Sequence, residues 1–227
     1  MRGAARPVLR TVAASLAALV LVAACSGRDS SRSRSTAPIP AEAFSFVEVG
    51  TRCDELARMV GALVAPEVGT PEEAGIPIGS SSPATVDYGL FSEEQVSCSI
   101  PFRERRLLIA VRRAEGGRQA PRELRSLWSG EMVVEARPVD DRRRLVRRPE
   151  PTRGEEPRRV SGVGERATWL AGDDVTDVRE ARLLVLVDSS HGMILSAEEP
   201  PDKDPILGRP ETLARIAASL IRALDLP

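Results

Sequence analysis

An α+β domain is the fold the sequence predicts: an antiparallel sheet with an N-terminal and a C-terminal helix packed on one face. Three observations lead to it. Apolar residues recur with helical spacing over 54–65 and again over 211–226. Between them lie runs of alternating or continuous apolar residues of strand length. Short turns at 103–105 and 188–192 join those runs into hairpins, and runs of antiparallel strands covered by helices make a layered α+β domain. Composition allows this: 227 residues, 42% hydrophobic, 29% charged and 3% aromatic suit one domain plus appendages, and exclude a collagen-like or polytopic membrane chain.

The elements follow in chain order. Residues 1–24 have the layout of a secretion signal, with Arg2, Arg6 and Arg10 ahead of an uncharged stretch from Thr11 to Ala24. At about 14 residues that stretch suits a signal and is short of the ~20 needed to span a bilayer. It ends Val22-Ala23-Ala24-Cys25, which resembles the lipobox of bacterial lipoproteins, as against an ordinary secretory signal with a coincidental cysteine. The resemblance implies cleavage before Cys25 and a diacylglyceryl thioether on its sulfur. Two acyl chains, at ~0.8 kcal/mol per buried methylene, hold a domain stably on a membrane where one chain would not. Residues 25–46 are then a flexible tether, opening with the Ser-, Arg- and Pro-rich Ser26–Pro40 that has too little apolar surface to offset ordering. Residues 47–227 are expected to form a single α+β domain.

Within it, Leu56, Met59, Val60, Leu63 and Val64 mark a helix over Asp54–Ala65 that Pro66 should end. Pro71–Pro83 reads as a long irregular connection. Val96, Cys98, Ile100 and Phe102 alternate along a half-buried strand, with Pro101 near a strand end or edge, and Arg106–Arg113 returns as its hairpin partner. Gln119–Trp128 suits a short helix with Pro121 in its first turn, Leu124, Leu127 and Trp128 inward and Gly130 beyond it. Glu131–Arg137 suits a third strand. The segment near 138–159 is charged and reads as a solvated loop. Val160–Leu170 opens with a glycine turn and becomes a strand, Ala181–Val187 is a central strand, and Met193–Ala197 returns antiparallel to it. Leu213, Ile216, Ala217, Leu220, Ile221 and Leu224 form the stripe of a last helix.

Export changes how the cysteines are read. With Cys25 lipidated, Cys53 and Cys98 remain as an even pair in an oxidising compartment, which favours one structural disulfide over two buried thiols or a redox pair. A redox pair usually has Cys-x-x-Cys spacing, and this one does not.

Several pieces together carry a family resemblance: the lipobox and tether, Cys53-Asp54-Glu55-Leu56, Ser97-Cys98-Ser99-Ile100, the stretch from Val160 to Ala167, and the terminal helix. The chain resembles the exported lipoproteins of actinobacteria grouped under an uncharacterised DUF of the 3558 type. The resemblance spans most of residues 47–225 and implies an envelope location and a fold; the family carries no agreed activity. The chain departs from that pattern in its arginine-rich segment and in having Ile100 rather than an aromatic two residues beyond Cys98.

The search for chemistry points away from catalysis. Asp188, Ser189, Ser190 and His191 are neighbours in one turn and cannot by themselves set up nucleophile, base and orienting group. Gly162-Val163-Gly164 lacks the third glycine of a dinucleotide loop. Asp173, Asp174 and Asp177 miss calcium-loop spacing, and Glu93-Glu94 and Glu198-Glu199 point apart on strands. One histidine and three cysteines leave little for a zinc site. A formal net charge of −1 argues against nucleic-acid binding through a basic face. The local exception is Arg142, Arg143, Arg144, Arg147 and Arg148, whose guanidinium groups suit anionic lipid or acidic wall polymer, although interspersed acids make a plain charged loop the simpler reading. The expectation is a lipid-anchored protein on the outer face of the cell membrane, without cofactor, enzymatic activity or nucleic-acid partner. It would serve as a binding or accessory protein of the envelope, the alternative being a small-ligand or lipid carrier with a pocket between sheet and helices.

Overall fold

Alternating apolar residues on strands and a striped helix at each end assemble as the sequence predicts. The computed structural model describes residues 43–79, 82–88, 91–136, 143–147, 156–171 and 178–225, all within one compact unit. The expected signal peptide, Cys25 and most of the expected tether lie outside the described residues. Where description begins, the expected tether is already part of the domain. Phe44 and Phe46 are buried, Phe44 forms a parallel bridge to Leu224, and its N–H donates to the Ala223 carbonyl at 2.7 Å. Two phenylalanines carry too much apolar surface to stay solvated, so the domain starts before residue 47.

Helix α1 (Glu48–Thr51) leads into α2 (Cys53–Val68). Pro66 does not end α2. It sits in the final turn, where its missing N–H removes one hydrogen bond near a frayed end, and the helix stops at Gly69 with φ 84°. The connection expected over Pro71–Pro83 contains β1 (Ile76–Pro77), and β2 (Ala84–Asp87) follows it; neither is long enough to show alternation. Strand β3 (Ser92–Phe102) turns through Arg103 and Glu104 into β4 (Arg105–Ala114). Pro101 lies near the end of β3, where its absent N–H breaks no ladder. A 3₁₀ turn (Glu115–Gly117) precedes α3 (Arg122–Trp128). Then come β5 (Met132–Ala136), β6 (Arg143–Arg147), β7 (Arg158–Val160), β8 (Arg166–Ala171), β9 (Arg179–Leu186), β10 (His191–Glu199) and α4 (Pro210–Ala223).

Among the described residues, eight strands form one antiparallel sheet ordered β1-β3-β4-β10-β9-β8-β7, with β2 also on β3. Register aligns its helix-facing residues in lateral rows. One row runs Val96, Val111, Met193, Val185, Ala167, and the next Cys98, Ile109, Leu195, Leu183, Trp169. Both rows meet α2 and α4 in the main core, where Leu56, Val60, Leu213, Ile216 and Leu220 are buried. A side-chain period of two puts Leu184 and Leu186 on the opposite face. There α3 forms a second, smaller core around Leu124 and Trp128, with Ala114, Ala120 and Leu127.

Trp128 lies flat on Gly192, where an added Cβ would stand 2.4 Å from the indole Cγ. We expect Gly192→Ala to cost about 1–3 kcal/mol by overpacking, read as a lower melting temperature with altered Trp128 fluorescence.

The segment near 138–159, expected as a charged loop, contains strand where it is described. Arg143–Arg147 forms β6, paired antiparallel to β5 in a separate two-stranded sheet, and Arg158 already belongs to β7. The stretch Arg143–Arg147 shows no apolar alternation, so nothing local marked it as a strand.

Candidate functional site

A third lateral row begins with Ile100 and Leu107 but ends in small residues, Ala197, Ala181 and Ala171. Large side chains fill the space under α2, whereas alanines leave room near the start of α4. There a cavity of ≈ 330 Å³ lies between the ends of β8 and β9 and the segment entering α4. Trp169, Ala171 and Ala181 line one side, Pro205, Gly208 and Pro210 the other.

The roof is held by one buried carboxylate. Glu199, at the end of β10, is 3% exposed and accepts N–H donors from Ile206 (2.8 Å), Leu207 (2.9 Å) and Gly208 (2.8 Å). The Arg105 guanidinium donates from the other side at 3.0 Å. Such a nest satisfies a buried charge and fixes the loop's backbone. Trp169 adds a second tie, its Nε1–H donating to the Gly208 carbonyl at 2.8 Å. Gly208 has no room for a side chain, since an added Cβ would stand 2.9 Å from both the Ala181 Cβ and Glu199 Oε2.

The cavity's other charged residues are Arg179, Arg209 and Glu180. Arg179 donates to the carbonyls of Lys203 (3.0 Å) and Pro201 (2.6 Å), bracing the same loop. Arg209 is exposed, and among the described residues its guanidinium has no acceptor. Burial alone would raise the Glu180 carboxyl, but hydrogen bonds from Arg182 and Ser196, with the Arg182 charge, hold it below the ordinary glutamate value. Glu180 is thereby matched by Arg182, and Glu199 by Arg105 and three amides.

A second hollow, ≈ 560 Å³, lies between Ala57, Gly61 and Ala65 of α2 and Pro71 and Ala74 of the following connection. Its charged residues, Asp54, Arg58 and Glu73, include both signs, and none of the described lining residues is aromatic.

Cys53 and Cys98 form a disulfide with Cα atoms 5.7 Å apart, joining the start of α2 to the middle of β3. Both are buried in the main core. Of the arginines expected to meet an anionic surface, Arg143, Arg144 and Arg147 lie on β6, while Arg142 and Arg148 fall outside the described residues. Asp173, Asp174 and Asp177 also lie outside them. Asp188 accepts from the backbone N–H of Ser190 (2.6 Å) and His191 (2.9 Å), and His191 Nδ1 stands 3.0 Å from its carboxylate, so these residues build a turn. Gly162 and Gly164 have positive φ in the turn between β7 and β8.

Glu93 and Glu94 do point apart. Glu94 pairs with Arg113, while Glu93 is buried beside the second core, accepting Trp128 Nε1–H at 2.7 Å and Tyr88 Oη–H at 2.8 Å, with Arg112 at 3.4 Å. Trp169, Arg179, Glu199 and Arg209 were not expected as site residues. Glu199 looks like any strand-end acid in the sequence, because its partners are backbone amides and an arginine 94 positions away.

No family model matches the chain, and no curated protein matches it. A solved structure of an uncharacterized protein from Mycobacterium smegmatis (the Rv0999 ortholog) is similar at 13% identity, covering 76% of this chain and 97% of that one, with a TM-score of 0.35.

Proposed function

We propose that this is a lipid-anchored binding or accessory protein on the extracytoplasmic face of the cell membrane, without catalytic activity. The observation that carries the reading is the buried Cys53–Cys98 disulfide, a bond that persists in oxidising compartments and is rare in the cytosol. It accords with a leader ending in Cys25 and with the resemblance to exported actinobacterial lipoproteins. Among the described residues no helix is long and apolar enough to cross a membrane, and in this reading the Cys25 lipid is the attachment. Envelope proteins, anionic lipid or wall polymer are the partners such a location offers.

Intact-mass measurement of the protein from its native host should show loss of residues 1–24 and a diacylglyceryl adduct on Cys25. Cys25→Ala should move the protein from the membrane to the soluble fraction. Retention of the first 24 residues, or an unmodified Cys25, would overturn the reading.

A second reading, a small-ligand carrier, is favoured by the cavity beside Trp169. Sequence alone suggested a pocket between sheet and helices, and this one lies between β8, β9 and the start of α4. The space under α2 is instead filled by the main core.

A further inference from the structure

We propose that the cavity between Trp169 and the loop entering α4 binds a small carboxylate-bearing molecule with a flat apolar body. This deepens the carrier reading of the same cavity and is independent of membrane anchoring. Three properties of the site converge on that class of ligand.

Size comes first: ≈ 330 Å³ is at the lower end of the ~300–1,000 Å³ typical of small-molecule sites. Shape follows from the walls. Trp169 offers an indole surface, Pro205 and Pro210 lie across from it, and Ala171 and Ala181 leave room at the strand ends. An aromatic or alicyclic ring fits such walls better than a branched polar molecule.

Charge sets the head group. Both lining carboxylates already have cationic partners, Glu199 with Arg105 and Glu180 with Arg182. Among the described residues Arg209 has no carboxylate partner and Arg179 donates to neutral carbonyls alone. Asp202, Asp204 and Glu211 are near in sequence but do not line the cavity. Among the described lining residues the uncompensated charge is positive, and a carboxylate complements it; Asp173, Asp174 and Asp177 lie outside the described residues.

The roof makes the site preorganised. Glu199 fixes the Ile206–Gly208 backbone and Trp169 is tied to Gly208, so a ligand meets walls already in place.

The test uses the full chain carrying Cys25→Ser, with its disulfide oxidised, titrated by calorimetry with 2-naphthoate, 2-naphthol and octanoate. Amide chemical shifts of Ala171, Ala181 and Gly208 locate the binding. The expected result is saturable 2-naphthoate binding that shifts these amides and is about ten-fold or more tighter than 2-naphthol binding. Weaker octanoate binding is expected if the flat wall matters. Arg209→Gln should reduce the preference for naphthoate over naphthol, and Ala171→Leu, which fills the cavity, should abolish binding while the thermal transition is retained.

Equal binding of naphthol and naphthoate would overturn the charge assignment, and octanoate binding more tightly than naphthoate would overturn the flat body. Absence of binding by all three, or binding that leaves these amides unshifted, would overturn the site. None of these results alters the membrane fractionation of the wild-type protein, so the two readings fail separately.

Discussion

Replacing both bridging cysteines, C53A/C98A, is expected to destabilise the domain strongly. The bridge joins residues 45 positions apart, and cross-linking such a loop lowers the entropy of the unfolded chain by an amount worth about 4 kcal/mol. For a domain of this size that corresponds to a melting temperature lower by about 8–16 °C. The double substitution avoids leaving an unpaired thiol in the core. Calorimetry of wild type and variant, each with and without reductant, checks it: reductant should lower the wild-type transition and leave the variant's unchanged. An equal response of both proteins would mean that the bridge contributes little.

Glu199→Ala is expected to cost about 3–5 kcal/mol, because it removes the acceptor for a half-buried guanidinium and three backbone amides at once. Arg105 and the amides of Ile206, Leu207 and Gly208 would lose their partner together, and these groups are half-buried or buried. Urea unfolding should show a lower midpoint, and hydrogen exchange should accelerate at 206–208 more than in β9. Glu199→Gln keeps one carbonyl acceptor but loses the charge opposite Arg105, so it should fall between wild type and alanine. A midpoint within experimental error of wild type for Glu199→Ala would show that the loop is held by Trp169 and Arg179 instead.

Legibility differed sharply between elements, for physical reasons. The β3–β4 hairpin is readable because Val96, Cys98, Ile100 and Phe102 alternate, a short charged turn follows, and Leu107, Ile109 and Val111 continue on the same face. The helix α4 is readable because its stripe is long and Pro210 stands at its first position. By contrast β1, with two residues, is too short to show a period and exists because β3 offers it a ladder. The charged strand β6 is similar, since its pairing with β5 depends on a partner that local composition does not reveal. Burial of Glu93 and Glu199 is also invisible locally, because adjacent glutamates look alike until the sheet assigns each a face and a set of donors.

The candidate site shows the same division. Ala171, Ala181 and Ala197 are unremarkable alone; only strand register aligns them into a row, and only the α4 approach covers them. Arg179 and Arg209 come together through that loop.

The amino-acid order by itself determined the class of fold, the hairpins, the terminal helices and, with Cys25 taken as lipidated, which two cysteines pair. Each of those rests on periodicities of two or 3.6 residues, or on residue counts, that a local stretch of chain carries. Tertiary structure alone decided where the cavity opens, which glutamates are buried and which arginines, among the described residues, lack a carboxylate partner. Those properties depend on groups brought together from distant strands, and no local pattern records such distances.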